Sequence, residues 1–322
     1  MRSALPLCLY ALAVASYSPA LLARLSATGM SARMGLTAWL TAIASVLASM
    51  AIALKELVSA AAAGWHLLAE AFCRSVTGHA CPPPVYSSAL FEIPLASAAL
   101  TAGLAAAILA WRYGRSVQRA QQLAYAHSAA ALITGRRFPA AGGAVVLDVP
   151  QPAAYCVPGR PAAIVLTTGA LALLEPEQLS AVIAHEKAHL AGSHHLLVTL
   201  TRGLSAALPG IPLFTRAQAE VSRLTEMLAD DAAARHSGRP ALVAALLALG
   251  TGAPVPSRAL AAAAGDVAAR VQRLLQPASP SPRARNRLAL AAVTVLLAAA
   301  PGLLTWLAGP LAARVLPLPL PW

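Results

Sequence analysis

His185-Glu186-Lys187-Ala188-His189 lies in an apolar stretch, residues 182–190, that reads as one helix. On a helix, residues i and i+4 share a face, so both imidazoles can reach a single metal ion while Glu186 lies beside them. A zinc peptidase needs this set: two histidine ligands and a glutamate that holds a metal-bound water. Zinc lowers the pKa of that water towards ~7 and polarises a carbonyl. Glu186 would then accept the water proton as general base and pass it to the leaving amine. One Zn2+ per chain is expected.

Zinc needs a third protein ligand, and two readings supply one. Gly192 and His195 extend the motif to the metzincin string, with Gly192 bending the chain to bring in His195. Alternatively, Glu226 and Asp230 lie four apart on a second expected helix; Glu226 would bind the metal and Asp230 would orient a histidine ligand from behind. The second reading is preferred. Metzincins are typically secreted, and the apolar pattern continues through Leu196, Leu197 and Leu200, so the helix is expected to run past Gly192. Gly192 is then incidental, and His194 and His195 are polar or interfacial residues. Asp231, Arg235 and His236 suit a solvated helix face, with Arg235 or His236 a weaker candidate for oxyanion stabilisation.

Outward from the motif, Pro176 starts the helix, with Glu175 and Glu177 at its positive end. Residues 144–149 and 163–167 read as strands, and 153–157, closed by Pro158-Gly159, as a third. Residues 115–133 have helical period. Pro209 and Pro212 break the chain; a helix over 216–235 follows, then two more before Pro277. The Pro- and Ser-rich run 277–282 reads as a linker. Residues 112–287 form one expected domain with its own core, in which Cys156 is a buried apolar residue.

The rest of the chain is a membrane sequence. Of 322 residues, 58% are hydrophobic and 11% charged, against about 25% charged in an average soluble domain. An ordinary soluble enzyme and a disordered chain are both excluded. Apolar stretches at about 4–22, 35–54, 88–111 and 288–308 each approach the ~20 residues of a membrane-crossing helix. The first lacks a small-x-small cleavage site before Arg24, which argues against a signal peptide. Arg24 and Arg33 follow the first stretch, Arg112, Arg115 and Arg119 follow the third, and Arg283, Arg285 and Arg287 precede the fourth. The positive-inside rule puts the N-terminus outside and the peptidase segment in the cytoplasm of a multi-pass plasma-membrane protein. That segment holds 18 of the 24 basic and 9 of the 12 acidic residues, so the net charge of +12 reports sidedness and no direct nucleic-acid binding is expected. Cys73 and Cys81 fall in the outer loop, where a disulfide is allowed. None of the four cysteines forms a CxxC pair, which argues against a cysteine zinc site.

Thr167-Thr168-Gly169-Ala170-Leu171, Leu174-Glu175-Pro176-Glu177-Gln178-Leu179 and the 182–189 motif together resemble the BlaR/MecR-type M56 membrane peptidases, which share much of this pattern with the M48, HtpX-like peptidases. Glu226-x-x-x-Asp230 fits both. The resemblance implies a mainly α architecture: four transmembrane helices and a zincin-like, gluzincin-type α+β peptidase domain with a small sheet. The divisions are a membrane domain 1–111, the peptidase domain 112–287, and a fourth span with tail, 288–322. It implies His185, His189 and Glu226 as zinc ligands and Glu186 as base. It also implies regulated proteolysis, with a cytoplasmic transcriptional repressor as a protein substrate. Antibiotic-sensing members carry a large C-terminal sensor domain, for which residues 309–322 leave no room. The alternatives are an HtpX-like quality-control protease acting on membrane proteins and a catalytically inactive membrane sensor or scaffold. The intact Glu186 speaks against the last.

Overall fold

The computed structural model describes residues 3–27, 32–77, 89–139, 144–159, 161–252, 257–276 and 281–315. Helices α1 (Ala4–Ala27), α2 (Ala32–Thr77) and α3 (Ala89–Thr134) come first. A small sheet follows: β1 (Arg136–Phe138), β2 (Ala144–Leu147), β3 (Ala154–Val157) and β4 (Ala163–Thr167). Then come α4 (Thr168–Leu173), α5 (Pro176–Ala191), α6 (His194–Ala207), α7 (Pro212–Ser237), α8 (Arg239–Gly252), α9 (Ser257–Leu275) and α10 (Ser281–Val315).

Among the described residues four helices are long and apolar enough to cross a membrane: Ala4–Ser26, Ala32–Ala62, Pro94–Thr134 and Arg285–Ala308. They contain most of each expected stretch but overrun them. The third span and the helix expected over 115–133 are one continuous helix, α3. Arg112, Tyr113 and Gly114 separate them, and the single glycine costs a helix only about 1 kcal/mol. Cys81 lies outside the described residues, as does the side chain of Cys73, so the expected bridge falls beyond the described part of the molecule.

The sheet is mixed, in the order β1-β2-β4-β3. β2 and β4 pair in parallel, with Val146 opposite Leu166; β1 and β3 pair antiparallel on the flanks. β4 is buried along its whole length, as its run Ala-Ile-Val-Leu-Thr requires at the centre of a sheet. β1, Arg-Arg-Phe, was not expected as a strand: two arginines give no apolar alternation, and it exists by pairing with β2. Thr167 closes the sheet onto α4. Its hydroxyl accepts from Ala170 N at 3.1 Å and donates to Gln151 O at 2.8 Å.

Two expectations about the helices need correcting. The helix starting at Pro176 does not continue past Leu200. It ends at Ala191: Gly192 N donates to Ala188 O at 2.9 Å, Ser193 N donates to Leu190 O at 3.1 Å, and Ser193 is left-handed with φ 49°. The apolar spacing persists because α6 is itself amphipathic and packs on α3 and α7. Pro212 does not break the chain either; it occupies the first turn of α7, where its missing N–H is no loss. Pro282 likewise lies in the first turn of α10, so the expected linker does not extend to 282; residues 277–280 lie outside the described residues.

The largest apolar cluster joins the two parts of the chain. Leu213, Phe214, Ala217, Val221, Leu224 and Met227 of α7 pack with Leu22 of α1, with Ala38, Trp39 and Ala42 of α2, and with Leu290 of α10. The other side of α7 packs on α5. α7 therefore stands between the membrane helices and the motif helix.

The corner between β2 and α4 is close-packed. Gly169 N donates to Val149 O at 3.0 Å, and a Cβ on Gly169 would collide with the Pro150 carbonyl. Because the obstacle is backbone, Gly169→Ala should destabilise the protein by about 1–3 kcal/mol. A thermal melt of the full chain in detergent checks this; an unchanged midpoint would show that the corner yields freely.

Candidate metal centre

α5 begins with Pro176 in its first turn, and the Glu175 N–H donates to Gln178 Oε1 at 3.2 Å, which fixes the helix start. Three turns on, His185 and His189 face α7. The ring nitrogens His185 Nε2 and His189 Nε2 stand 3.1 Å apart. Glu226 of α7 closes the group, with Oε2 3.5 Å from His185 Nε2 and Oε1 3.5 Å from His189 Nε2. Among the described residues these three form the group able to hold a metal ion. Tetrahedral ligands about 2.0–2.1 Å from zinc stand about 3.3 Å from one another; with one atom from each residue the three ligand atoms lie within 4.8 Å of one another, so a small turn of the Glu226 carboxylate would bring one oxygen to both imidazoles.

Charge gives a second test. Glu186 and Glu226 are partly buried and Asp230 fully so, and Arg270 of α9 is the guanidinium that meets Glu226 and Asp230. With neutral imidazoles these four groups leave a net charge of −2, which one divalent cation cancels. The same excess acts on His185. Burial pushes its imidazole down, but Asp230 and Glu226 outweigh burial and take it up to about 9. For Glu226, burial favours the neutral form, yet the two histidines and Arg270 hold its carboxyl well below the usual range. The donor set and its charge fit zinc.

Asp230 is fully buried, and its Oδ1 lies 3.2 Å from His185 Nδ1. The distance is short, but the ring nitrogen does not meet hydrogen-bond geometry, so this is an ion-pair contact. Arg270 donates to Asp230 from Nε at 3.0 Å and from Nη2 at 2.6 Å, and its Nη1 lies 3.2 Å from Glu226 Oε2. No short sequence pattern marks Arg270. It lies forty residues from Asp230, among other arginines on an alanine-rich helix.

Glu186 packs against the edge strand β3. Burial raises its carboxyl above the usual range, and the two histidines and Cys156 pull it back. Cys156 is not the buried apolar residue expected; it is half-buried and lines the cleft. Burial together with the Glu186 charge pushes its thiol up to about 12, so it stays neutral beside Glu186.

His194 was also missed. It is buried, and its Nδ1 lies 3.1 Å from His189 Nδ1. Burial, with His189 beside it, pushes the His194 imidazole down to about 4, so it stays neutral and can accept the His189 Nδ1–H. That contact leaves His189 Nε2 as a lone pair aimed at Glu226 and His185. It depends on the helix break, because a Cβ on Gly192 would land on the His194 ring. Gly192 is therefore not incidental. His195 is exposed and stands apart from the metal group. Asp231 pairs with Arg273 at 2.8 Å, and Arg235 and His236 are exposed at the end of α7.

A cleft of about 380 Å³ opens beside the group, lined by Ala120, Ala124 and Tyr125 of α3, Cys156 of β3, Val198 of α6, and Glu226. A protein-family model described as Peptidase family M48 matches residues 118–213. The chain is similar to the M48 peptidases over this stretch. The match spans α3 from the cleft wall through the sheet to the start of α7, includes the His185–His189 motif, and ends before Glu226. With the four apolar helices it supports a membrane-associated metallopeptidase. No solved structure matches the chain.

Zinc content discriminates the third-ligand readings. Glu226→Gln should lose bound zinc and His195→Ala should keep it; loss confined to the His195 variant would reverse the choice. Gly192→Ala should displace His194 and weaken zinc binding about 10-fold or more, measured by competition with a chelator; wild-type affinity would show that the His194 contact is dispensable.

Proposed function

We propose that the chain is a membrane-anchored zinc endopeptidase of the gluzincin type, in which His185, His189 and Glu226 hold the metal and Glu186 is the general base. The observation that carries this is the His185, His189 and Glu226 group on two packed helices, with one ligand atom from each within 4.8 Å of the others, inside a net-negative, partly buried cluster and beside an open cleft. A bound zinc would supply polarisation of the scissile carbonyl and a lowered pKa for its water. Glu186, beside the neutral Cys156 thiol, takes up a proton at its carboxylate and returns it to the leaving amine. Asp230 orients His185 and His194 orients His189, each through Nδ1. A protein segment lies in the cleft between the α3 wall and β3.

The arginines following the first and third spans and preceding the fourth support an N-terminus outside and residues 112–287 in the cytoplasm of the plasma membrane. The substrate class follows the BlaR/MecR-type resemblance: regulated cleavage of a cytoplasmic protein such as a transcriptional repressor. A second reading, HtpX-like quality control of membrane proteins, is favoured by the M48 match over 118–213.

Glu186→Gln should keep zinc and lose cleavage by about 10²–10⁴-fold. Persistent cleavage at the wild-type rate would sink the enzyme reading. Proteins that accumulate with the Glu186→Gln chain separate the two substrate classes: a soluble DNA-binding protein for the first, misfolded membrane proteins for the second.

A further inference from the structure

We propose that Arg270 is a positioning residue of the metal centre, fixing Glu226 and Asp230 from helix α9 and so setting how tightly the site holds a divalent cation. This rests on the zinc-peptidase reading above.

The guanidinium reaches both acids at once. Nε and Nη2 grip the two oxygens of Asp230, at 3.0 and 2.6 Å, and Nη1 lies 3.2 Å from Glu226 Oε2. Asp230 has no exposure to water. Without Arg270, its remaining polar contacts would be His185 Nδ1 at 3.2 Å and Arg273 Nη2 at 3.7 Å. Two carboxylates at i and i+4 on one helix repel each other, and a buried carboxylate without its partner is costly. Arg270 sits between the two and removes both penalties.

It also fixes rotation. Glu226 Oε1 faces His189, whereas Oε2 faces His185 and Arg270. With Oε2 held from behind, the carboxylate cannot turn away from the histidine pair. A lysine could neutralise the charge but could not fork onto Asp230 while touching Glu226, because it lacks the planar array of donors. The neighbouring arginine on α9 has a different task. Arg273 Nη1 donates to Asp231 at 2.8 Å and Nη2 to the Met227 carbonyl at 3.2 Å, which ties α9 to α7 mainly through partners outside the metal group. One helix thus carries a positioning arginine and a docking arginine three residues apart.

The experiment uses the full chain in detergent, wild type and the variants Arg270→Lys, Arg270→Gln and Arg273→Gln. Zinc affinity is read by competition with a chromophoric chelator, ligand geometry by the visible spectrum of the cobalt-substituted protein, and folding by thermal melt. Arg270→Gln should raise the zinc Kd about 10–100-fold and alter the cobalt spectrum. Arg270→Lys should fall between it and the wild type. Arg273→Gln should lower the melting point and leave the zinc Kd within about twofold. If Arg270→Gln does not fold, Arg270→Lys decides. Wild-type affinity and spectrum in a folded Arg270 variant overturn the proposal. So does an equal loss in Arg273→Gln, which would make α9 docking alone the cause. If the wild type binds no zinc, the functional reading itself fails and takes this one with it.

Discussion

Carboxylates crowded in a partly buried space, outnumbering the guanidinium beside them, favour a further positive charge in their midst. Glu186, Glu226, Asp230 and Arg270 impose that condition here, and the arrangement of the peptidase segment answers to it. α5 brings two imidazoles, α7 two of the acids and α9 the guanidinium. Each helix is placed by apolar packing elsewhere along its length, so the polar cluster need not hold the fold together. It selects which charge the fold accepts.

The turn at Gly192-Ser193 shows how local geometry serves this cluster. A straight helix would carry His194 away around the α5 axis. The left-handed Ser193 instead returns the chain so that the His194 ring stacks edge-on to His189, with ring centroids 4.8 Å apart. Asp230 Oδ1 then stands 3.2 Å from Nδ1 of His185, and the neutral His194 ring stands 3.1 Å from Nδ1 of His189.

What the sequence disclosed follows from the range of its signals. The His185/His189 and Glu226/Asp230 spacings are four-residue patterns, and helical geometry alone turns them into shared faces. The apolar helices were visible from hydropathy, although their ends were not, because α3 runs on through Gly114. Two strands, β2 and β4, showed as β-branched runs, whereas β1 owes its existence to a neighbour. The contacts of Arg270 and Cys156 were hidden because they are tertiary, and neither residue belongs to a short pattern. The break after α5 was hidden because α6 continues the same apolar rhythm through Leu196, Leu197 and Leu200. Periodicity reports that residues face a core, not that they face it from one helix.

The packing of α7 on α1 and α2 sets a mechanical tolerance. Phe214 is fully buried in the shared core, and Glu226 lies twelve residues further along the same helix, about 18 Å at 1.5 Å per residue. A tilt of about 3° about Phe214 would carry Glu226 about 1 Å, several times the ~0.2 Å within which metal–ligand distances are held. The crossing angles of α7 with α1 and α2 are therefore part of the ligand geometry, and the bundle that anchors the chain is also the bench on which its metal site is aligned.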